Sequence, residues 1–220
     1  NNLILSKLTQ NSKNFKNNSS RGLYGDVIEE LDWSMGKIVE VLKMLNLENN
    51  TLIIFASDNG PWLDEKNIGD HGGSAYPLRG GKYESWEGGF RVPCIMKWSG
   101  VIPEGVINDQ LYTIMDIFPT ISALAHVQLP KNKIDGYDIS STILGKQLKS
   151  PYEVFYYYVY SHLQGIRKGK WKLILPRPKS PKWFIPWHRI YISEVNEIKL
   201  YNLENDLSES NNVAEENPQI

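Results

Sequence analysis

An α/β fold is the class this sequence predicts, and three observations predict it. Leu23, Val27, Leu31, Met35, Ile38, Leu42 and Leu45 recur at three- and four-residue steps, which is one face of an α-helix. After the turn Glu48-Asn49-Asn50 comes Thr51-Leu52-Ile53-Ile54-Phe55, a short unbroken apolar run of the kind found in strands covered on both faces. Further on, 155–160 and 165–174 read as two more strand stretches, the second broken by a turn at Lys168-Gly169. Helix, turn and buried strand in succession predict an α/β sheet, and the later pair predicts a small antiparallel subdomain behind it.

The elements follow in order. Residues 1–20 are rich in Asn, Lys and Ser and read as a polar lead-in. The helix carries Asp26, Glu29, Glu30 and Asp32 in its first half and Lys37 and Lys43 later, the order its dipole favours, and it ends near Asn46. Ser57-Asp58-Asn59-Gly60 falls where the first strand ends, the position at which ligands collect in open α/β sheets. Positions 60–93 then hold eight of the 17 glycines, so a long loop is predicted there. A loop of that length is either functional or disordered, and Trp62, Tyr76, Tyr83, Trp86 and Phe90 within it argue for order. A second buried strand is read over 92–98. A helix is read over 113–126 with Ile114, Ile117, Ile121 and Leu124 on one side, bent or restarted at Pro119. Composition shifts near 145–152, which gives three parts: a lead-in over 1–20, an α/β part over 21–149 and a small carboxy-terminal subdomain over 150–220.

Bulk properties exclude several classes. Hydrophobic content of 41% with 22% charged residues fits a globular chain able to bury a core. No apolar run approaches the roughly 18 residues a membrane span needs, and the apolar stretch at the start is too short for a signal peptide. The lack of an initiating methionine places the expected start upstream. A net charge of -1 supplies no field for nucleic acid, though a small anionic substrate needs only local cations. The single cysteine, Cys94, excludes a disulfide framework and a cysteine metal cluster without fixing the compartment. The acceptor patterns at Asn17, Asn18 and Asn49 permit secretion.

Asp58 and Asn59 offer a carboxylate and an amide carbonyl side by side, hard oxygens that suit Ca²⁺ or Mg²⁺ rather than Zn²⁺. Asp-Asn-Gly is equally good turn chemistry, but Pro61-Trp62 opens a long loop where a tight hairpin would need a strand. Lys82, among the glycines of Arg79-Gly80-Gly81-Lys82, can serve as a point cation for a sulfuryl or phosphoryl oxygen, or be solvated like most lysines. The segment is not a phosphate-binding P-loop, because its glycines and lysine are out of register. His71 could protonate a leaving group or simply face solvent. Arg79 and Arg91 are weaker candidates with surface ion pairs as the plain alternative. Cys94, beside Ile95 and Met96, reads as a small core residue.

Taken together, the ordered segments resemble the sulfatase family, in particular its arylsulfatase A-like group. The residues carrying the resemblance are Arg21-Gly22-Leu23-Tyr24-Gly25-Asp26, Ile54-Phe55-Ala56-Ser57-Asp58-Asn59-Gly60-Pro61-Trp62, and Pro77-Leu78-Arg79-Gly80-Gly81-Lys82 through Trp86-Glu87-Gly88-Gly89-Phe90-Arg91-Val92-Pro93. Ile166-Arg167-Lys168-Gly169-Lys170-Trp171-Lys172-Leu173 and Leu200-Tyr201-Asn202-Leu203 follow in family order. The resemblance implies part of an alkaline-phosphatase-like sheet followed by the small antiparallel subdomain. It also implies Asp58 and Asn59 as metal ligands to Ca²⁺ (or Mg²⁺), Lys82 as the catalytic cation on the sulfate and His71 on the substrate side.

The family's nucleophile is a hydrated formylglycine made from Cys or Ser in a Cys/Ser-x-Pro-x-Arg segment of the amino-terminal half. Here Cys94 is followed by Ile95-Met96, and Ser74-Ala75-Tyr76-Pro77-Leu78-Arg79 misses the pattern by one residue. The chain is therefore expected to be a carboxy-terminal sulfatase fragment that is inactive alone, acting in the complete protein on a sulfate ester such as a sulfated glycan. Two alternatives stand beside it: a non-catalytic module binding sulfated glycans, and a phosphatase or phosphodiesterase of the same superfamily. The family implies a secreted, lysosomal or periplasmic setting.

Overall fold

The structure, a computed structural model, describes residues 13–63, 72–146, 149–159, 161–179 and 194–220. Helix α1 spans Gly22–Met44, longer at its start than the apolar stripe alone requires. No side chain caps its first turn. Instead Asp26, buried, accepts backbone N–H bonds from Asn17, Asn18 and Ser19 at 2.8, 3.0 and 2.8 Å, so the carboxylate ties down the loop before the helix. Asn46 takes a left-handed φ of 56° just past the end, a conformation Asn tolerates, and Leu47 N–H closes onto Leu42 O.

Strand β1 (Ile53–Ala56) pairs antiparallel with β2 (Cys94–Lys97), Ile54 opposite Met96 and Ala56 opposite Cys94. Both strands lie where the apolar runs predict, but neither is buried. Ile95 is 64% exposed and Cys94 is exposed too, against the expectation of core positions. The stripe on α1 is likewise open at Leu31, Ile38 and Leu45. The physical reason is that the described residues supply a two-stranded ladder without a layer closed over both its faces. A run of apolar residues reports the need for cover and not its source.

A short helix, α2 (Glu87–Phe90), precedes β2, and the helix read over 113–126 is two pieces, a 3₁₀ turn Ile114–Asp116 and α3 (Ile117–Leu124). Pro119 sits in the first turn of α3, where its missing N–H costs nothing. Its buried face is Pro119, Thr120 and Ser122, while Ile114 and Ile121 are exposed, so the predicted apolar side is not the packed one. Polar groups decide the orientation. Buried Asp116 accepts from Thr113 N–H, Tyr137 N–H and the Tyr152 hydroxyl, and Thr120 Oγ1 accepts from Ile139 N–H at the threshold of α4 (Ser140–Ile143).

The carboxy-terminal strands β3 (Phe155–Val159), β4 (His162–Lys168), β5 (Trp171–Ile174) and β6 (Lys199–Asn202) form one antiparallel sheet in sequence order. The β4–β5 link is the two-residue loop Gly169-Lys170 with Gly169 at φ 56°, which matches the twist of the strands it joins. A buried apolar cluster forms here: Ile174, Val195, Tyr201 and Leu203 gather with Trp86, which arrives from the Gly-rich segment. Among the described residues no helix is long and apolar enough to cross a membrane.

Candidate active site

The end of β1 and the Gly-rich segment are joined through the backbone. Ser57 N–H donates to Pro93 O and extends the β1–β2 ladder into the turn, whose form is set by the Ser57 hydroxyl on Asn59 O at 2.8 Å. Gly60 N–H then donates to Gly89 O at 3.0 Å, and Lys82 N–H donates to Pro61 O at 2.8 Å. Two glycines are required for this approach. A Cβ on Gly60 would overlap the Gly88 carbonyl, and one on Gly81 would overlap the Pro61 carbonyl.

Asp58 is exposed and Asn59 half-buried. The Asn59 amide donates from Nδ2 to Gly60 O at 2.9 Å, which leaves Oδ1 without a hydrogen bond among the described residues. Lys82 lies across two aromatic rings, with Nζ 6.0 Å from the Trp62 centroid and 5.4 Å from that of Tyr83. The rings pack edge to face at 6.2 Å. Among the described residues Lys82 has no carboxylate partner. A carboxylate, an amide oxygen and an ammonium thus project from two segments hydrogen-bonded to each other, a combination able to hold a cation and an anion together. No cluster of three His, Cys, Asp or Glu groups suited to a metal occurs among the described residues. His71 lies outside the described residues.

The arginines resolve differently. Arg79, exposed, stacks on the buried Trp86 at 3.7 Å and donates to Glu209 O at 2.9 Å, so it is held by structural contacts. Arg91 approaches Asp109 at 3.9 Å on the surface.

Sequence reasoning missed a buried charge cluster beneath this site. The Glu87 carboxylate, 1% exposed, accepts the Tyr157 hydroxyl at 2.7 Å and Lys172 Nζ at 2.9 Å on Oε1, and Arg167 at 3.3 Å on Oε2. Lys172, itself fully buried, also pairs with Glu209 at 2.9 Å and sits 4.2 Å from the centre of the Tyr157 ring. Glu209 in turn accepts the Glu87 backbone N–H at 2.6 Å. Burial alone pushes the Glu87 carboxyl up, but the Lys172 ammonium and the bonds from Lys172 and Tyr157 outweigh it and hold the group below the usual carboxylate range. Glu209 goes the other way: burial raises it and its share of Lys172 offsets that only in part. Burial, then the Glu87 charge, pushes the Tyr157 phenol far above its ordinary value. The signal for this cluster was present in the sequence as Lys172 between Trp171 and Leu173 of an apolar strand, and Glu87 between Trp86 and Gly88.

Residues 5–127 match the sequence profile of the sulfatases, and residues 81–219 match that of the carboxy-terminal region of N-sulphoglucosamine sulphohydrolase. This chain belongs to the sulfatase family. It is 43% identical to the steryl-sulfatase of Homo sapiens over 159 residues, covering 71% of this chain and 27% of that enzyme. With the N-acetylgalactosamine-6-O-sulfatase of Bacteroides thetaiotaomicron it shares 34% over 214 residues, covering 94% of this chain and 41% of the relative. A solved structure of a sulfatase from the glycosaminoglycan metabolism of Bacteroides thetaiotaomicron superposes with a TM-score of 0.76 at 33% identity, covering 94% of this chain and 44% of that one. A solved structure of a protein in complex with a neocarrahexaose superposes with a TM-score of 0.69 at 29% identity, over 94% of this chain and 41% of that one. The chain therefore spans less than half the length of these relatives. Its fold is that of the alkaline-phosphatase-like sulfatases, α/β with a small four-stranded antiparallel sheet at the carboxy-terminal end.

Proposed function

We propose that this chain is the part of a sulfuric ester hydrolase that holds a divalent cation and grips the sulfate, with Asp58 and Asn59 as metal ligands and Lys82 as the sulfate-binding cation. The observation that carries the reading is the pair of backbone bonds, Gly60 N–H to Gly89 O and Lys82 N–H to Pro61 O, which fasten the oxygen-bearing turn to the lysine segment. The donor set fits the metal. The exposed Asp58 carboxylate and Asn59 Oδ1, which has no hydrogen bond among the described residues, are two hard oxygens, and Ca²⁺ takes six to eight, so other groups complete the shell. When bound, the cation would act as a Lewis acid toward the sulfuryl oxygens. Lys82, without a carboxylate partner among the described residues, would neutralise the charge that grows on those oxygens as the ester bond breaks. The 220 residues contain no Cys/Ser-x-Pro-x-Arg segment, so on this reading the formylglycine nucleophile comes from the remainder of a longer protein. The relative named for sulfate ester cleavage on N-acetylgalactosamine supports a sulfated saccharide as substrate.

The test is steady-state hydrolysis of a small aryl sulfate by the complete protein carrying this segment, with a calcium titration beside it. Asp58→Ala is expected to lower both calcium affinity and turnover. Lys82→Ala is expected to spare calcium affinity and to cut turnover by about 10²-fold or more, the scale set by loss of one transition-state charge stabiliser. Turnover in Lys82→Ala equal to that of the exposed-lysine control Lys146→Ala, or parental calcium binding in Asp58→Ala, would reject the assignment.

A further inference from the structure

We propose that Glu87 is a positioning residue for the Asp58–Lys82 site, anchored by the carboxy-terminal sheet through Lys172, Tyr157 and Arg167; this rests on the assignment of Asp58, Asn59 and Lys82 given above. Both halves of that site hang from two consecutive residues of α2. Gly89 O receives the N–H of Gly60 on the metal turn, and Gly88 N–H donates to Arg79 O, closing the loop that contains Lys82. A four-residue helix has too few internal bonds to hold its own orientation. Gly88 and Gly89 have no side chains with which to anchor it. Glu87 is the one residue of α2 with a charged side chain, and both its carboxylate oxygens and its backbone N–H are engaged by groups from β3, β4, β5 and the 209 turn.

Directionality separates this from ordinary core packing. A buried ion pair is a poor source of net stability, since well-packed apolar groups of similar volume often do as well. Charge-assisted bonds from three donors on three strands fix a carboxylate in angle as well as in place. Rotation of α2 would break those bonds and carry Gly60 and the Lys82 loop with it. The cluster adds a directional polar link between the sheet at 155–202 and the turn at 57–60 to the apolar contacts of Phe90 with Phe155 and Tyr157 and of Trp86 with Tyr201.

The experiment is hydrogen–deuterium exchange on the 220-residue chain, read at 57–63 and 79–84 and compared with β4 and β5. In Glu87→Gln, exchange at the Gly60 and Lys82 amides should rise about tenfold, the scale of one lost charge-assisted bond, while β4 and β5 stay within about twofold of the parent. Unchanged exchange at Gly60 and Lys82 overturns the proposal. An equal rise in β4 and β5 also overturns it, because the carboxylate then merely stabilises the sheet. Should Glu87→Gln fail to fold, Tyr157→Phe removes one bond from Oε1 and should give the same pattern at about threefold, with a uniform or absent response counting against the idea. In the complete enzyme Glu87→Gln should lower kcat with little change in KM, and an effect confined to KM speaks against positioning. If Asp58→Ala and Lys82→Ala leave turnover unchanged while the exchange pattern appears, the site assignment fails and the mechanical link stands. If those variants abolish turnover and the exchange pattern is absent, the reverse holds.

Discussion

Replacing Lys172 by Met leaves Glu87 and Glu209 facing each other in a site where neither exceeds 1% exposure. The thioether keeps most of the volume, so the loss is electrostatic and not a cavity. Removing one partner of a buried, hydrogen-bonded charge cluster costs about 3–5 kcal/mol. In a chain of this size that lowers Tm by about 6–20 °C at roughly 2–4 °C per kcal/mol. The assay is urea unfolding followed by circular dichroism at several pH values. The parent gains stability from Glu87 above the unfolded carboxylate range and loses it as pH falls through the depressed folded value. In Lys172→Met both carboxylates shift upward, so the deficit should be largest near neutrality and shrink as pH falls and they take up protons. Adding Glu87→Gln should recover part of the loss. A deficit below about 1 kcal/mol at neutral pH, the scale of a surface pair, would refute the reasoning. So would a deficit that does not change with pH.

Three further outcomes are expected. The 220-residue chain alone should show no turnover of an aryl sulfate at saturating calcium, and activity above a heat-killed control that survives repurification would contradict the missing nucleophile. Cys94, exposed on β2, should react with a thiol reagent without denaturant and appear in mass spectrometry as an unmodified thiol; an aldehyde there would relocate the active site. In an alkaline titration followed by tyrosine absorbance, Tyr157 should stay protonated while exposed tyrosines ionise. Because its folded value is raised, its stabilising contribution is intact below the unfolded value near 10 and is lost at higher pH, so Tyr157→Phe should flatten the alkaline decline in stability.

Much of the fold could be read from local pattern. The three- and four-residue spacing located α1, the apolar runs located β1 and β2, and Lys168-Gly169 located the break between β4 and β5. Burial could not be read that way. Ile95 and Cys94 are apolar yet open, because cover comes from other layers and not from the strand that needs it. The orientation of α3 was misread at Ile114 and Ile121 because Asp116 and Thr120, buried polar groups with specific partners, fix which side packs. For the candidate site, Asp58, Asn59 and Lys82 were visible as residue types at the end of a strand and in a Gly-rich loop. Their joining by Gly60 and Pro61 depends on backbone approach, which no side-chain pattern encodes. The Glu87–Lys172–Glu209 cluster was hidden for a different reason. Its members are 85 and 37 positions apart in pairs 87–172 and 172–209, and only the sheet brings them together.

The most direct test of the central claim is a crystal structure of the complete protein with calcium and a sulfate ester bound. Oxygens of Asp58 and Asn59 should lie about 2.3–2.6 Å from the cation. Lys82 Nζ should lie about 2.7–3.2 Å from a sulfuryl oxygen. Calcium bound away from the 57–60 turn, or Lys82 turned to solvent while the ester is held by other groups, would contradict the account.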